Sequence, residues 1–93
     1  MPELMPQELT SRTERMKAAL RAAFSPELLE IDDETQLHHG HAGVAPGGET
    51  HFAVRIKSPA FVGLSRLARH RAVNQVLAAE FATGLHALSI EAD

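Results

Sequence analysis

The amino-acid sequence predicts an α+β fold: a two-layer αββααβ sandwich with helices on one face of a three-stranded mixed sheet. Three observations carry that expectation. Apolar residues recur at helical spacing across 7–24 and again across 65–82. They alternate with polar residues at 28–33, 50–57 and 85–90, the period of a half-buried strand. With 93 residues, the chain can bury one modest core, so the layers belong to a single domain. That domain is expected over 7–93, behind a flexible lead-in over 1–6 that carries Pro2 and Pro6.

The elements follow in order. From Gln7 to Phe24, Leu9, Met16, Leu20, Ala23 and Phe24 form an apolar stripe, and Arg12, Arg15, Lys17 and Arg21 lie off it. Ser25-Pro26 ends this helix, because the residue before proline is pushed out of the α region. Leu28 to Asp33 reads as a short strand, with Leu29 and Ile31 on one face. Thr50 to Lys57 is the plainest strand: Phe52, Val54 and Ile56 share one face, and His51, Ala53, Arg55 and Lys57 the other. The loop between these two strands far exceeds the roughly 2–5 residues usual in hairpins, and long ordered loops tend to be functional. Ser58-Pro59 stops the second strand, and Ala60 to Leu64 fits a short helical turn. Ser65 is a suitable N-cap for a helix running to Ala82, with Val73, Val76, Leu77 and Phe81 at helical spacing. Gly84 suits its C-terminal end. Leu85 to Ile90 returns to alternation, and His86 shares the parity of Leu88 and Ile90. It is therefore expected on the helix-facing side, where the last helix arrives.

Composition narrows the chemistry. Hydrophobic residues are 44% of the chain and charged residues 23%, the balance of an ordinary globular domain. There is no cysteine, so disulfides, thiolate catalysis and a cysteine-ligated metal within this chain are excluded. No apolar run approaches the roughly 18 residues of a membrane span, and the first residues lack a signal-peptide pattern. A cytoplasmic location without membrane contact is expected. Net charge is −3, but five of the nine Lys and Arg residues (Arg55, Lys57, Arg66, Arg69 and Arg71) fall between Glu49 and Glu80 with no acid among them.

The stretch HHGHAGVAPGGETH, residues 38–51, holds four of the six histidines. Imidazole suits zinc, copper and iron, so His38, His39 and His41 are candidate ligands. A closed structural zinc site needs four ligands, and this loop has no thiolate to complete one. The competing reading is a solvated loop whose histidines titrate near neutral pH. His86 alone is better explained as a half-buried residue bonded to backbone, and a ligand role needs a second donor from elsewhere. His51, opposite in parity to Phe52, reads as structural or surface.

The segment FVGLSRLARHRAVNQVL, residues 61–77, reads as helix–turn–helix with Arg66, His70, Arg69 and Arg71 near one end. Those cations fit phosphate contacts, and they equally fit a solvated helix face with arginine stems over the core. The GxxG clamp of RNA-binding KH domains is missing from the helix–helix junction, which reads Gly63-Leu64-Ser65-Arg66. The letters recur at Gly40-His41-Ala42-Gly43, but between two strands and without a cation. No P-loop, dinucleotide fingerprint or nucleophile with an oriented base is visible, so an enzyme is not expected.

Taken together, the motifs resemble those of the BolA family. The resemblance runs from Arg15 to Ile90. It rests on Ala23, Phe24 and Pro26, on Asp33-Glu34-Thr35, and on GGETHF from Gly47 to Phe52. Phe61 and Gly63, the RHR of Arg69 to Arg71, and the HAL of His86 to Leu88 complete it. It implies an αββααβ fold of the class II KH type. It also implies a partner, a monothiol CGFS-type glutaredoxin, with which such proteins share a [2Fe-2S] cluster. The glutaredoxin and its glutathione supply sulfur ligands; the BolA-like chain supplies a histidine of the last strand, here His86, and a loop residue. In the histidine subgroup that residue is best matched by His41, with His38 and His39 as alternates. The isolated chain, a monomer or weak homodimer, would then hold no cofactor. The resemblance further implies a bacterial regulator of transcription and stress response, with Lys57, Arg66, Arg69 and Arg71 on the phosphates of double-stranded DNA.

Overall fold

The computed structural model describes residues 11–34 and 50–93. The expected lead-in, 1–6, and the start of the expected domain at 7 lie outside them. Helix α1 spans Arg12–Phe24 and begins later than the apolar stripe predicts. Ser11 is extended, and its hydroxyl accepts from the Glu14 N–H at 3.1 Å, which caps the helix at that point. Met16, Leu20 and Phe24 turn one stripe inward. Ser25 closes the helix in the left-handed region, φ 44°, and donates its N–H to the Arg21 carbonyl. Pro26 follows and forbids another turn.

Strand β1, Leu28–Asp33, pairs antiparallel with β2, His51–Lys57, in the register Ile31 opposite Val54. Strand β3, Ala87–Ala92, lies parallel on the other side of β2, so the sheet is mixed with order β1-β2-β3. A parallel pair needs a long crossover. A 3-10 turn at Pro59–Phe61, helix α2 at Arg66–Val76 and helix α3 at Ala78–Ala82 supply it. The α+β class, the two layers and the element order agree with expectation, although the partition of the crossover differs. The predicted turn at 60–64 is the tighter one at 59–61. The single helix predicted to Ala82 breaks at Leu77, φ −97° and ψ 13°. There the chain turns so that Leu77 stays buried while Glu80 swings toward α1. Ser65 caps α2 as predicted, accepting from the Ala68 N–H at 3.0 Å.

Phe52, Val54 and Ile56 of β2 meet Met16 and Leu20 of α1, with Phe61, Val73 and Leu77 of the crossover, in one buried core. Phe24 and Phe61 touch as tilted rings, 4.9 Å between centroids. Ser58 is buried at the corner between β2 and the 3-10 turn. Its hydroxyl donates to the Phe24 carbonyl at 2.6 Å and accepts from the Ala60 N–H at 3.0 Å, tying the end of α1 to the sheet. The opposite sheet face is polar, with Glu30, Asp32, Arg55, Lys57, Ser89 and Glu91 exposed. Among the described residues, no helix is long and apolar enough to cross a membrane.

Candidate ligand site at the end of the sheet

His86 owes its position to the preceding four residues. Gly84, at φ 133°, takes a backbone conformation that side chains rarely adopt, and its Cα faces the Arg12 guanidinium closely. Leu85 then plugs the core at 4% exposure. Its N–H donates to the Glu80 carbonyl, and the chain is delivered to the sheet end. His86 is thrown out one residue ahead of β3. It is exposed and does not join the helix-facing row of Leu88, Ile90 and Ala92. This corrects the placement expected from parity: residues 85 and 86 belong to the connection, and the strand runs to Ala92.

The turn from α3 into His86 is held by one ion network. The Arg12 guanidinium donates to the Glu80 carboxylate at 2.7 Å, to the Glu80 carbonyl at 3.1 Å and to the Thr83 hydroxyl at 3.0 Å. Arg15 donates to both Glu80 carboxylate oxygens at 3.0 Å. The Arg15 hydrogen bonds hold the Glu80 carboxyl below its usual range; burial opposes this, and the two guanidinium charges reinforce it. Arg12 and Arg15, read from the sequence as merely off the apolar stripe, thus clamp α1 to α3.

At the sheet end, the carbonyl of buried Thr50 accepts from both the His86 N–H at 2.8 Å and the Ala87 N–H at 3.1 Å. The Thr50 hydroxyl lies 2.9 Å from Nδ1 of His51. The rings of His51 and His86 stack, with centroids 6.1 Å apart and planes 20° from parallel. His51 is half-buried on the polar sheet face, as its parity predicts. Its contact with His86 was missed because it depends on the parallel register, which sets His51 beside Ala87. Nothing local in the sequence specifies a register between strands so far apart.

His41, His38 and His39 lie outside the described residues. The ends of the segment that carries them are fixed, however. Glu34 donates its N–H to the His51 carbonyl at 2.7 Å, and Thr50 holds His86. The histidine-bearing segment therefore leaves the fold beside His51 and re-enters it at Thr50, whose carbonyl bonds His86.

The predicted basic residues separate. Lys57 is exposed on β2, on the sheet face away from the helices, whereas Arg66 and Arg71 are exposed on α2. Arg69 is half-buried: it donates to the Leu64 carbonyl at 3.0 Å and the Ala92 carbonyl at 3.2 Å, with the Asp93 carboxylate at 3.9 Å. The groove beside it is lined by Arg66 and His70 but also by Glu91 and Asp93, so its charge is mixed.

The family model for BolA-like proteins matches residues 20–93. The chain belongs to the BolA family. An uncharacterized Sinorhizobium sp. protein of the cobS 5' region is 50% identical over 82 residues, covering 87% of this chain and 88% of the relative. BolA-like protein 1 of Homo sapiens is 48% identical over 77 residues, which is 83% of this chain but 53% of that protein. The chain thus spans about half the length of that relative. Among solved structures, the BolA domain of SufE1 from Arabidopsis thaliana superimposes with a TM-score of 0.81 at 43% identity, covering 89% of this chain and 91% of that domain. The fold expected from the family resemblance is therefore the fold of this chain.

Proposed function

We propose that this BolA-like chain acts as the partner of a monothiol glutaredoxin with which it shares a [2Fe-2S] cluster, serving iron–sulfur homeostasis or redox-linked regulation rather than catalysis. The supporting observation is the position of His86: exposed at the sheet end where the histidine-bearing segment 35–49 departs and returns. His86 would supply one ligand, and His41, or alternatively His38 or His39, the second. The donor set fits the group. Imidazole replaces thiolate on one iron of a Rieske [2Fe-2S] centre, and a chain without cysteine leaves the sulfur ligands to the glutaredoxin and its glutathione. This chain's own contribution is orientation: the Thr50 carbonyl and the Arg12–Glu80 clamp fix the backbone on either side of the ligand.

The test mixes the protein with a cluster-loaded monothiol glutaredoxin and records visible absorption and circular dichroism. The wild type is expected to change the spectrum, and His86→Ala to abolish the change. Single His41→Ala, His38→Ala and His39→Ala variants identify the second ligand. Identical spectra with wild type and His86→Ala would discard the reading.

Double-stranded DNA binding is the second reading, supported by the two exposed arginines of α2, Arg66 and Arg71. It predicts affinity that falls steeply with salt, with a shallower slope in Arg71→Ala. No duplex binding at low salt would remove it.

A further inference from the structure

Strand β3 is an edge of the sheet, paired with β2 on one side only. Ala87 donates its N–H to the Thr50 carbonyl and Asp93 donates to the Ile56 carbonyl, so the odd-numbered residues bond to β2. The N–H and C=O groups of Leu88 and Ile90 therefore point away from the sheet. Ala92 points the same way, but its carbonyl accepts from Arg69 at 3.2 Å. Among the described residues, nothing bonds the four backbone groups of Leu88 and Ile90. Such an edge is a template for another strand unless the protein blunts it. The opposite edge is blunted: β1 carries Glu30, Asp32 and Asp33, with Glu34 just beyond, and like charges repel a second copy. β3 has no proline, glycine or lysine. Its one acid, Glu91, stands on the polar face with the Arg55 guanidinium 3.9 Å away.

The edge is also complementary to itself. In an antiparallel pair about a twofold axis at Ser89, Leu88 faces Ile90 of the second copy and Ile90 faces Leu88. Both are pairs that exchange N–H and C=O, so all four outward groups of each copy are satisfied. Leu88 and Ile90 are half-buried and already packed on the core, so the pairing extends the apolar, helix-facing layer. On the polar face Ser89 meets Ser89 and Ala87 meets Glu91, with no like charges opposed. Other registers fit less well. An axis at Leu88 needs the His86 N–H, which Thr50 holds, and an axis at Ile90 needs the Ala92 carbonyl, which Arg69 holds. An axis at Glu91 sets two carboxylates face to face. The groove between α2 and the end of β3, lined by Arg66, His70 and Ile90, leaves room on the helix side of this edge.

We propose that this chain forms a homodimer through antiparallel β3–β3 pairing centred on Ser89, joining two three-stranded sheets into one continuous sheet. Two strands of 6 residues fall short of the roughly 1,200 Å2 of a standard interface, so the dimer is weak and concentration-dependent.

The experiment uses the full chain alone, without glutaredoxin. Sedimentation and NMR diffusion should show dimer forming as concentration rises, with a dissociation constant on the order of 0.1 mM. In a mixture of isotope-labelled and unlabelled chains, intermolecular contacts are expected between Ser89 Hα protons and between the Leu88 and Ile90 amides. Ser89→Lys and Ser89→Glu change an exposed side chain, and the dispersed amide spectrum of each reports that it is folded. Each variant alone should dimerise about three- to fivefold more weakly than wild type, because like charges then face each other across the axis. A mixture of the two variants in equal amounts should recover the association. A chain that stays monomeric up to about 1 mM, intermolecular contacts confined to another surface, or a Ser89→Lys variant that dimerises as well as wild type would overturn the proposal. Because no glutaredoxin is present, such a failure leaves the cluster reading untouched.

Discussion

Replacing Glu80 by glutamine keeps the side chain's shape and removes its charge, so it isolates the electrostatic part of the α1–α3 clamp. The carboxylate accepts three hydrogen bonds from the two guanidinium groups, at 2.7, 3.0 and 3.0 Å. Breaking a fully buried ion pair costs about 3–5 kcal/mol. Here Glu80 and Arg12 are each 12% exposed and Arg15 28%, so solvent screens part of the loss. A cost of about 2–3 kcal/mol follows, which in a domain of this size lowers Tm by roughly 10–20 °C at neutral pH. The pH dependence has a definite sign. A carboxyl held below its usual range stabilises the fold above its unfolded-state value, about 4.3 for glutamate, and that stability disappears as pH falls through the depressed folded value. Thermal melts of wild type and Glu80→Gln should differ by a constant amount from about pH 7 to pH 5 and converge in more acidic solution. A difference under about 2 °C at neutral pH, or one that persists unchanged at about pH 3, would refute the clamp.

Gly84→Ala forces a side chain into φ 133° and sets its Cβ 2.9 Å from an Arg12 nitrogen; a loss of about 2 kcal/mol is expected, measured by urea unfolding. Because the backbone strain does not depend on the guanidinium, most of that loss should survive in an Arg12→Ala background. Ser58→Ala leaves the Phe24 carbonyl and the Ala60 N–H without their shared partner in a buried corner, at about 1–3 kcal/mol; a stability equal to wild type would show that the corner rehydrates. Arg69→Ala removes two bonds to carbonyls and should cost about 1–2 kcal/mol at any ionic strength, whereas Arg55→Ala, whose carboxylate partners are exposed, should cost under about 0.5 kcal/mol and less in high salt.

Periodicity carried the architecture because each element buries one face. The Phe52, Val54 and Ile56 alternation and the Met16 and Leu20 stripe are both in the core. Boundaries failed where a polar contact outranked periodicity. Ser11 ends the helical run N-terminally by capping, and the last helix breaks at Leu77, just ahead of Glu80, whose charge is satisfied on α1. Neither signal differs in letters from an ordinary surface residue. Arg69 shows the same limit: a cation in an acid-free stretch looked like a phosphate ligand, yet its donors reach the Leu64 and Ala92 carbonyls. His86 was singled out through its motif, although its parity misplaced it on the helix-facing side. Its neighbour His51 was not, since their contact is a product of parallel register across the whole crossover.

That contact bears on how a chain this small can present a ligand. An exposed histidine on a free connection would lose side-chain and backbone freedom on binding, about 1–2 kcal/mol for the backbone of each residue ordered. Here the backbone part is already spent in folding. Gly84 bends the chain, Leu85 anchors it and Thr50 accepts the His86 N–H, so only the His86 side chain remains to be fixed. The second imidazole of the proposed cluster would come instead from a segment whose flanking residues are held at the same sheet end, Glu34 by the His51 carbonyl and Thr50 by the His86 N–H. Closing that segment is likewise a cost met in folding, and it depends only weakly on segment length. Segment length is then nearly free to vary, while the Thr50–His86 junction is not. Lengthening 35–49 with glycines should therefore perturb ligand binding far less than Gly84→Ala.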